Sequence, residues 1–201
     1  MHLLQDEFYH IYNRGNNKQL IFFNDNNYLF FLKKVREQIS PCADIICYCL
    51  MPNHFHLIIR ANEKSVTERK SFGGKPMQEL AYRIGILLSS YSQAINKQNE
   101  TSGSLFQQKT KAKLLSEIVE GKKENYLENC FFYVHDNPIR ARLVENLCDW
   151  PYSSYLDYTK LRNGSLCNKE IFFQLTGFTT EDIINRASSD FIIETINKFY
   201  L

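Results

Sequence analysis

Ile45-Ile46-Cys47-Tyr48-Cys49-Leu50-Met51-Pro52-Asn53-His54-Phe55-His56-Leu57-Ile58-Ile59 is an apolar run interrupted once, at Met51-Pro52-Asn53. The interruption reads as a turn between two strands, about 43–51 and 54–60. A strand points residues i and i+2 to the same face. His54, His56, Ile58 and Arg60 therefore share one side of the second strand, and Phe55, Leu57 and Ile59 the other. The second set is apolar throughout and suits a core beneath a sheet, so the histidines are expected to face outward, within reach of solvent and substrate. Two imidazoles on one strand face make half of a divalent-metal site, which needs a further ligand from another element. A chance pairing of two of the chain's five histidines is the alternative, and the strand alone does not choose.

Upstream, Phe8-Tyr9-His10-Ile11-Tyr12-Asn13-Arg14 is aromatic and β-branched and reads as a first strand, stopped by Gly15-Asn16-Asn17. Asn24 or Asp25 caps a helix to about Ile39, with Leu29, Phe30, Leu32, Val35 and Ile39 in step with a 3.6-residue period. Downstream, the polar residues 61–76, with Gly73-Gly74 and Pro76, predict a flexible loop. Leu80, Ile84, Leu87, Leu88, Tyr91 and Ile95 predict a long helix over about 77–98. Leu105 to Leu115 reads as a fourth strand, and about 123–136 as a helix that Asn137-Pro138 breaks.

This β-α-β-β-α-β order predicts an α+β, ferredoxin-like or RRM-like split βαβ fold: a four- to five-stranded antiparallel sheet with helices on one face. Trp150-Pro151-Tyr152-Ser153-Ser154-Tyr155 reads as a docking segment, and 168–201 as two short helices. The expected division is a domain over 1–158 and a C-terminal helical extension over 159–201.

The chain has 201 residues, 44% of them hydrophobic and 14% aromatic, enough for a packed core. Its net charge of +2 does not announce a nucleic-acid partner, which must be argued from local patches. Cys42, Cys47, Cys49, Cys130, Cys148 and Cys167 form no Cys-x-x-Cys and read as small hydrophobes more than as zinc ligands. No run approaches the ~18 apolar residues of a membrane span, and Met1 to Glu7 carries two acids, so neither a membrane nor a signal peptide is expected. Free cysteines without an export signal suggest a reducing cytoplasm.

Three further groups carry chemistry. Lys109, Lys111 and Lys113 alternate along the fourth strand, either a track for a phosphate backbone or an edge protected by charge. Arg14, Arg60 and Arg140 are further candidates for phosphates. On the helix before Pro138, Tyr133, Asp136 and Asn137 fall on one face at i, i+3 and i+4, while His135 is rotated by about 200°. A phenol and an amide oxygen one turn apart suit a nucleophile and a third metal ligand. Tyr133 is equally one of twelve tyrosines, and Asn-Pro is a common helix stop.

Met51-Pro52-Asn53-His54-Phe55-His56, Leu105-Phe106-Gln107 and Tyr133-Val134-His135-Asp136-Asn137-Pro138-Ile139-Arg140-Ala141 occur in order. Together with Tyr9-His10-Ile11-Tyr12-Asn13-Arg14-Gly15 and the Trp150 segment, they resemble the single-tyrosine HUH transposases, and within them the REP-associated tyrosine transposases. The resemblance spans roughly residues 8–158. It implies that His54, His56 and Asn137 hold Mg²⁺ or Mn²⁺ and that Tyr133 is the nucleophile. The partner would be single-stranded or hairpin DNA, handled by a monomer or a homodimer in a bacterial, nucleoid-associated setting. Cleavage and rejoining of single-stranded DNA through a 5′-phosphotyrosine is the implied activity; a domesticated hairpin-binding protein without strand transfer is the alternative. Asp136 departs from the family pattern, in which that position is commonly apolar. An ordinary phenol, with a pKa near ~10, is a poor nucleophile at neutral pH. A general base is not legible, since His135 lies on the wrong helical face.

Overall fold

A computed structural model describes residues 1–71, 73–115, 118–119, 122–123 and 126–187. Within it the strand-forming runs build β1 (Phe8–Arg14), β2 (Ala43–Met51), β3 (His54–Ala61) and β4 (Lys111–Leu114). The sheet order is β2-β3-β1-β4 with every neighbouring pair antiparallel, as the split βαβ reading requires. The helices of eight residues or more are α1 (Asp25–Gln38), α2 (Glu79–Gln98), α3 (Tyr126–Arg140), α4 (Lys169–Thr176) and α5 (Thr180–Ala187). Asn24 caps α1 by accepting a hydrogen bond from the Asn27 amide. Residues 188–201, the end of the expected C-terminal helices, lie outside the described residues.

α1 and α2 cover the face that carries Phe55. Phe31 lies 5.0 Å from both Phe55 and Tyr91, and Tyr91 donates from its hydroxyl to the Ile21 carbonyl at 2.6 Å. The opposite face is not open: α3 packs across it. Cys130, Phe131, Phe132, Tyr133, Val134, His135, Asp136 and Pro138 are all buried, and a helix buried around its whole circumference over Cys130–Asp136 must lie between two layers. The sheet is one layer. The other includes α4, whose Phe172 stacks on Phe131 at 4.0 Å, and α5, whose Arg186 lies over Phe132.

Three local expectations are corrected. Residues 61–76 are not a plain loop: Asn62 and Ser65 form a reciprocal capping box on a one-turn helix, Glu63–Val66, followed by a short ladder between Glu68–Lys70 and Pro76–Gln78. The fourth strand covers only Lys111–Leu114, because residues 105–110 turn past β1, with Phe106 bridging Gly15 and Gln107 donating to the Arg14 carbonyl. Asn137-Pro138 does not break the helix, which runs on to Arg140. Proline has no N–H to give the Val134 carbonyl, but Asn137 Nδ2 donates to the carbonyls of Tyr133 at 2.8 Å and Val134 at 3.4 Å. The Trp150 segment docks as expected, on the free edge of β2: Trp150 Nε1 donates to the Leu50 carbonyl at 3.0 Å, and Leu50 N to the Tyr152 carbonyl at 3.0 Å.

Gly15 closes β1 where the chain doubles back, its N–H donating to the Asn53 carbonyl. A Cβ there would overlap the Gln19 carbonyl oxygen, a backbone atom that cannot swing aside. Gly15→Ala is therefore expected to destabilise the protein by about 2 kcal/mol, read as a lower urea midpoint at unchanged slope.

Candidate active site

Residues directly opposite one another on antiparallel strands point to the same face. Arg14 pairs with His54, Tyr12 with His56 and His10 with Ile58, while Lys111 and Lys113 of β4 pair with Tyr12 and His10. One sheet face thus gathers His10, Tyr12, Arg14, His54, His56, Lys111 and Lys113, and α3 lays Tyr133 and Asn137 against it. The Tyr133 ring stands edge-on to His56, with centroids 5.6 Å apart, and edge-on to His10 at 6.0 Å.

The histidines were expected to face solvent, and that is corrected: His56 is 4% exposed and His10 3%, because α3 covers them. His54 Nδ1 shares a hydrogen bond of 2.6 Å with the Asn53 side-chain oxygen, and His56 Nδ1 one of 2.8 Å with His10 Nε2. That leaves both Nε2 atoms for the interior of the site. The Asn137 side chain lies near both rings, and since its Nδ2 is turned to the helix backbone, the oxygen is the atom it presents. His56 Nε2 is nevertheless buried without a partner that meets hydrogen-bond geometry. A buried nitrogen without a partner is costly unless something else binds it.

The electrostatics keep these rings neutral, as ligation requires. Burial, then the Arg14 guanidinium, pushes the His54 pKa down to about 4. Burial, then the charges of His10 and His54, pushes His56 well below its ordinary value. His10 falls to about 3 through burial and then Lys113. His135 also falls to about 3 by burial, but it points away from the site to Ser154 Oγ, 2.8 Å distant. His135 is therefore not placed to act as a base on Tyr133. Asp136 is held up at about 6 by burial, opposed by Arg140. That arginine forms an ion pair with it at 3.9 Å.

These shifts carry a pH prediction. A histidine with its pKa near 6.5 when unfolded and near 3 or 4 when folded binds more protons unfolded, so stability falls as pH drops below 6.5. At pH 5 the loss is about 2 kcal/mol for each of His10, His54 and His135, and His56 acts in the same direction. Asp136 works the other way: its neutral folded form relieves about 1 kcal/mol as pH falls through 6. The balance is a large fraction of a typical stability of about 5–15 kcal/mol, so urea midpoints at pH 7 and pH 5 should differ strongly.

Of the residues predicted to meet phosphates, Arg14 lies beside His54, Lys113 acts on His10, and Lys111 is exposed on the same face. Lys109 precedes the strand and lines a groove against α2 with Asn13 and Thr110, so the lysine row is not continuous. Arg60 sits at the far end of the face, paired with Asp6 at 2.6 Å. Arg140 lies one turn past Asp136 on α3. His10 and Tyr12 were missed as site residues, although the alternation of β1 already sets them on the same side as Arg14. Among the described residues no group of three or more His, Cys, Asp or Glu is placed to hold a metal ion. Cys47, Cys49, Cys130 and Cys167 are buried free thiols, and among the described residues no helix is long and apolar enough to cross a membrane.

No family model and no curated protein matches the chain. A solved REP-associated tyrosine transposase bound to a REP hairpin is similar over 84% of this chain and 92% of its own, with a TM-score of 0.55 at 13% identity. The chain has the fold of a tyrosine transposase. A bacterial tRNA(His) guanylyltransferase-like protein in complex with ATP covers 94% of this chain and 74% of its own, at 10% identity and a TM-score of 0.42, too low to carry an argument. The likeness shows the fold alone. At 13% identity it leaves the chemistry to be argued from the site.

Proposed function

We propose that this protein is a metal-dependent, single-tyrosine HUH transposase that cleaves and rejoins single-stranded DNA beside a hairpin. One observation carries the reading: Asn137, one helical turn after Tyr133, turns its amide oxygen to the two imidazoles of His54-Phe55-His56, and Tyr133 packs on His56. Two neutral imidazole nitrogens and an amide oxygen can hold a divalent ion, which the resemblance to the HUH transposases makes Mg²⁺ or Mn²⁺, and the partnerless Nε2 of His56 is where such a donor set needs a bare lone pair. A metal ion held there would polarise the scissile phosphate and offset the charge on its oxygens.

The chain's own residues do the rest. Tyr133 Oη forms a bond to phosphorus as the bond from phosphorus to the 3′-oxygen breaks; the phenol gives up its proton and the departing 3′-oxygen takes one. The 5′-phosphotyrosine conserves the phosphodiester, so attack by another 3′-hydroxyl reverses the step and joins strands without ATP. Arg14, Lys111 and Lys113 border the same face and supply cations for the strand entering it. Asp136 has no part in the metal site here, being turned to Arg140.

The test is a covalent one. Protein incubated with end-labelled hairpin DNA and Mn²⁺ should yield an adduct that survives denaturing electrophoresis. Hairpin binding with no adduct under any divalent ion would overturn the enzyme and favour a DNA-binding protein that has lost strand transfer.

A further inference from the structure

We infer that His10 is a positioning residue for His56: it accepts a hydrogen bond from His56 Nδ1–H and so holds His56 Nε2, as a bare lone pair, toward the interior of the site. The inference rests on the metal-site reading above and adds to it a residue outside the His-hydrophobe-His motif.

His10 Nε2 and His56 Nδ1 are 2.8 Å apart, and the rings stack with centroids 5.0 Å apart at 23°. The two residues are diagonal neighbours on β1 and β3, and both are almost fully buried. Tyr12 stacks on His10 at 4.7 Å, so the His10 ring is held by packing as well as by the hydrogen bond.

One hydrogen lies between the two nitrogens, so one ring donates and the other accepts. If His10 donated, the proton of neutral His56 would sit on Nε2 and block ligation. If His56 donates, its Nε2 is unprotonated, the form that ligation requires, at an atom the protein leaves without a hydrogen-bond partner. The other histidine of the motif is arranged alike: its Nδ1 meets the Asn53 side-chain oxygen, a pure acceptor, which places the proton on Nδ1. Each ring is thus anchored at Nδ1, a common arrangement for metal-bound histidine. His10 is not itself a ligand, because the nitrogen it presents to the site is taken by His56.

The experiment is titration of the metal-free protein with Mn²⁺ alone, followed calorimetrically, for wild type, His10→Phe and His10→Gln. Phenylalanine keeps the ring stack and removes the acceptor, whereas glutamine can still accept through its side-chain oxygen. His10→Phe should bind Mn²⁺ about 10–100-fold more weakly, and His10→Gln should stay within about threefold of wild type. Long-range ¹H–¹⁵N spectra of the metal-free wild type should show His56 protonated at Nδ1.

Wild type that binds no Mn²⁺ would sink the metal-site reading itself. Wild type that binds, with a folded His10→Phe of equal affinity, would overturn the role of His10 alone. Equal losses in both variants would also overturn it, since the hydrogen bond would not be the cause. Should His10→Phe fail to fold, the wild-type spectrum decides: a proton on His56 Nε2 refutes the assignment.

Discussion

Tyr133→Phe is expected to eliminate the covalent protein–DNA adduct while leaving hairpin affinity nearly unchanged. The substitution removes one oxygen, and under the proposed chemistry that oxygen is the atom that bonds to phosphorus. The aromatic packing survives: the ring contacts with His56 at 5.6 Å and His10 at 6.0 Å need only the ring. Stability should therefore move by no more than about 1 kcal/mol, the worth of a hydroxyl hydrogen bond. Loss of the nucleophile should lower strand cleavage by at least about 10³-fold. Adduct yield on labelled hairpin DNA and hairpin affinity by fluorescence anisotropy give the two readouts. An adduct that persists in the Phe variant would move the nucleophile to another residue.

His56→Ala should remove metal-dependent cleavage and also weaken the fold. Read from strand alternation alone, this residue faces outward, and its truncation would cost no stability. Burial beneath α3 changes that expectation. Truncation leaves a cavity and strands His10 Nε2 without its partner, together costing about 2–3 kcal/mol. Assays belong at a temperature where the variant is still folded by circular dichroism, so that absence of the ligand is measured and not absence of the protein. Mn²⁺-dependent adduct within about tenfold of wild type would rule His56 out as a ligand, since loss of a metal ligand costs far more than loss of its supporting partner.

Much of the site was legible because it lies in two short segments governed by local geometry. The two-residue repeat of a strand is enough to set His54 and His56 on one side and Phe55 and Leu57 on the other. The 3.6-residue repeat of a helix is enough to align Tyr133 with Asn137 and turn His135 away. The continuation of α3 past Pro138 was not legible, because it depends on where the Asn137 side chain goes. Its amide nitrogen meets the Tyr133 and Val134 carbonyls, a choice a Pro-based rule does not include. The lysine row was over-read for a related reason. Alternation was extended to Lys109, yet the strand begins only at Lys111, after Asn13 has tied down Thr110 and the Gln107 carbonyl.

The sequence by itself determined the strand and helix order, which residues share a face within each element, and the pairing of His-hydrophobe-His with a tyrosine one turn before an amide. Only the tertiary structure decided that this face is covered and that His10 meets His56 across 46 residues of chain. The physical reason is range. Side-chain direction within a strand or helix follows from backbone periodicity, a property of a few consecutive residues. Coverage and cross-strand contact follow from the register of β1 on β3 and from the layer α3 must occupy for Cys130–Asp136 to be buried on every side.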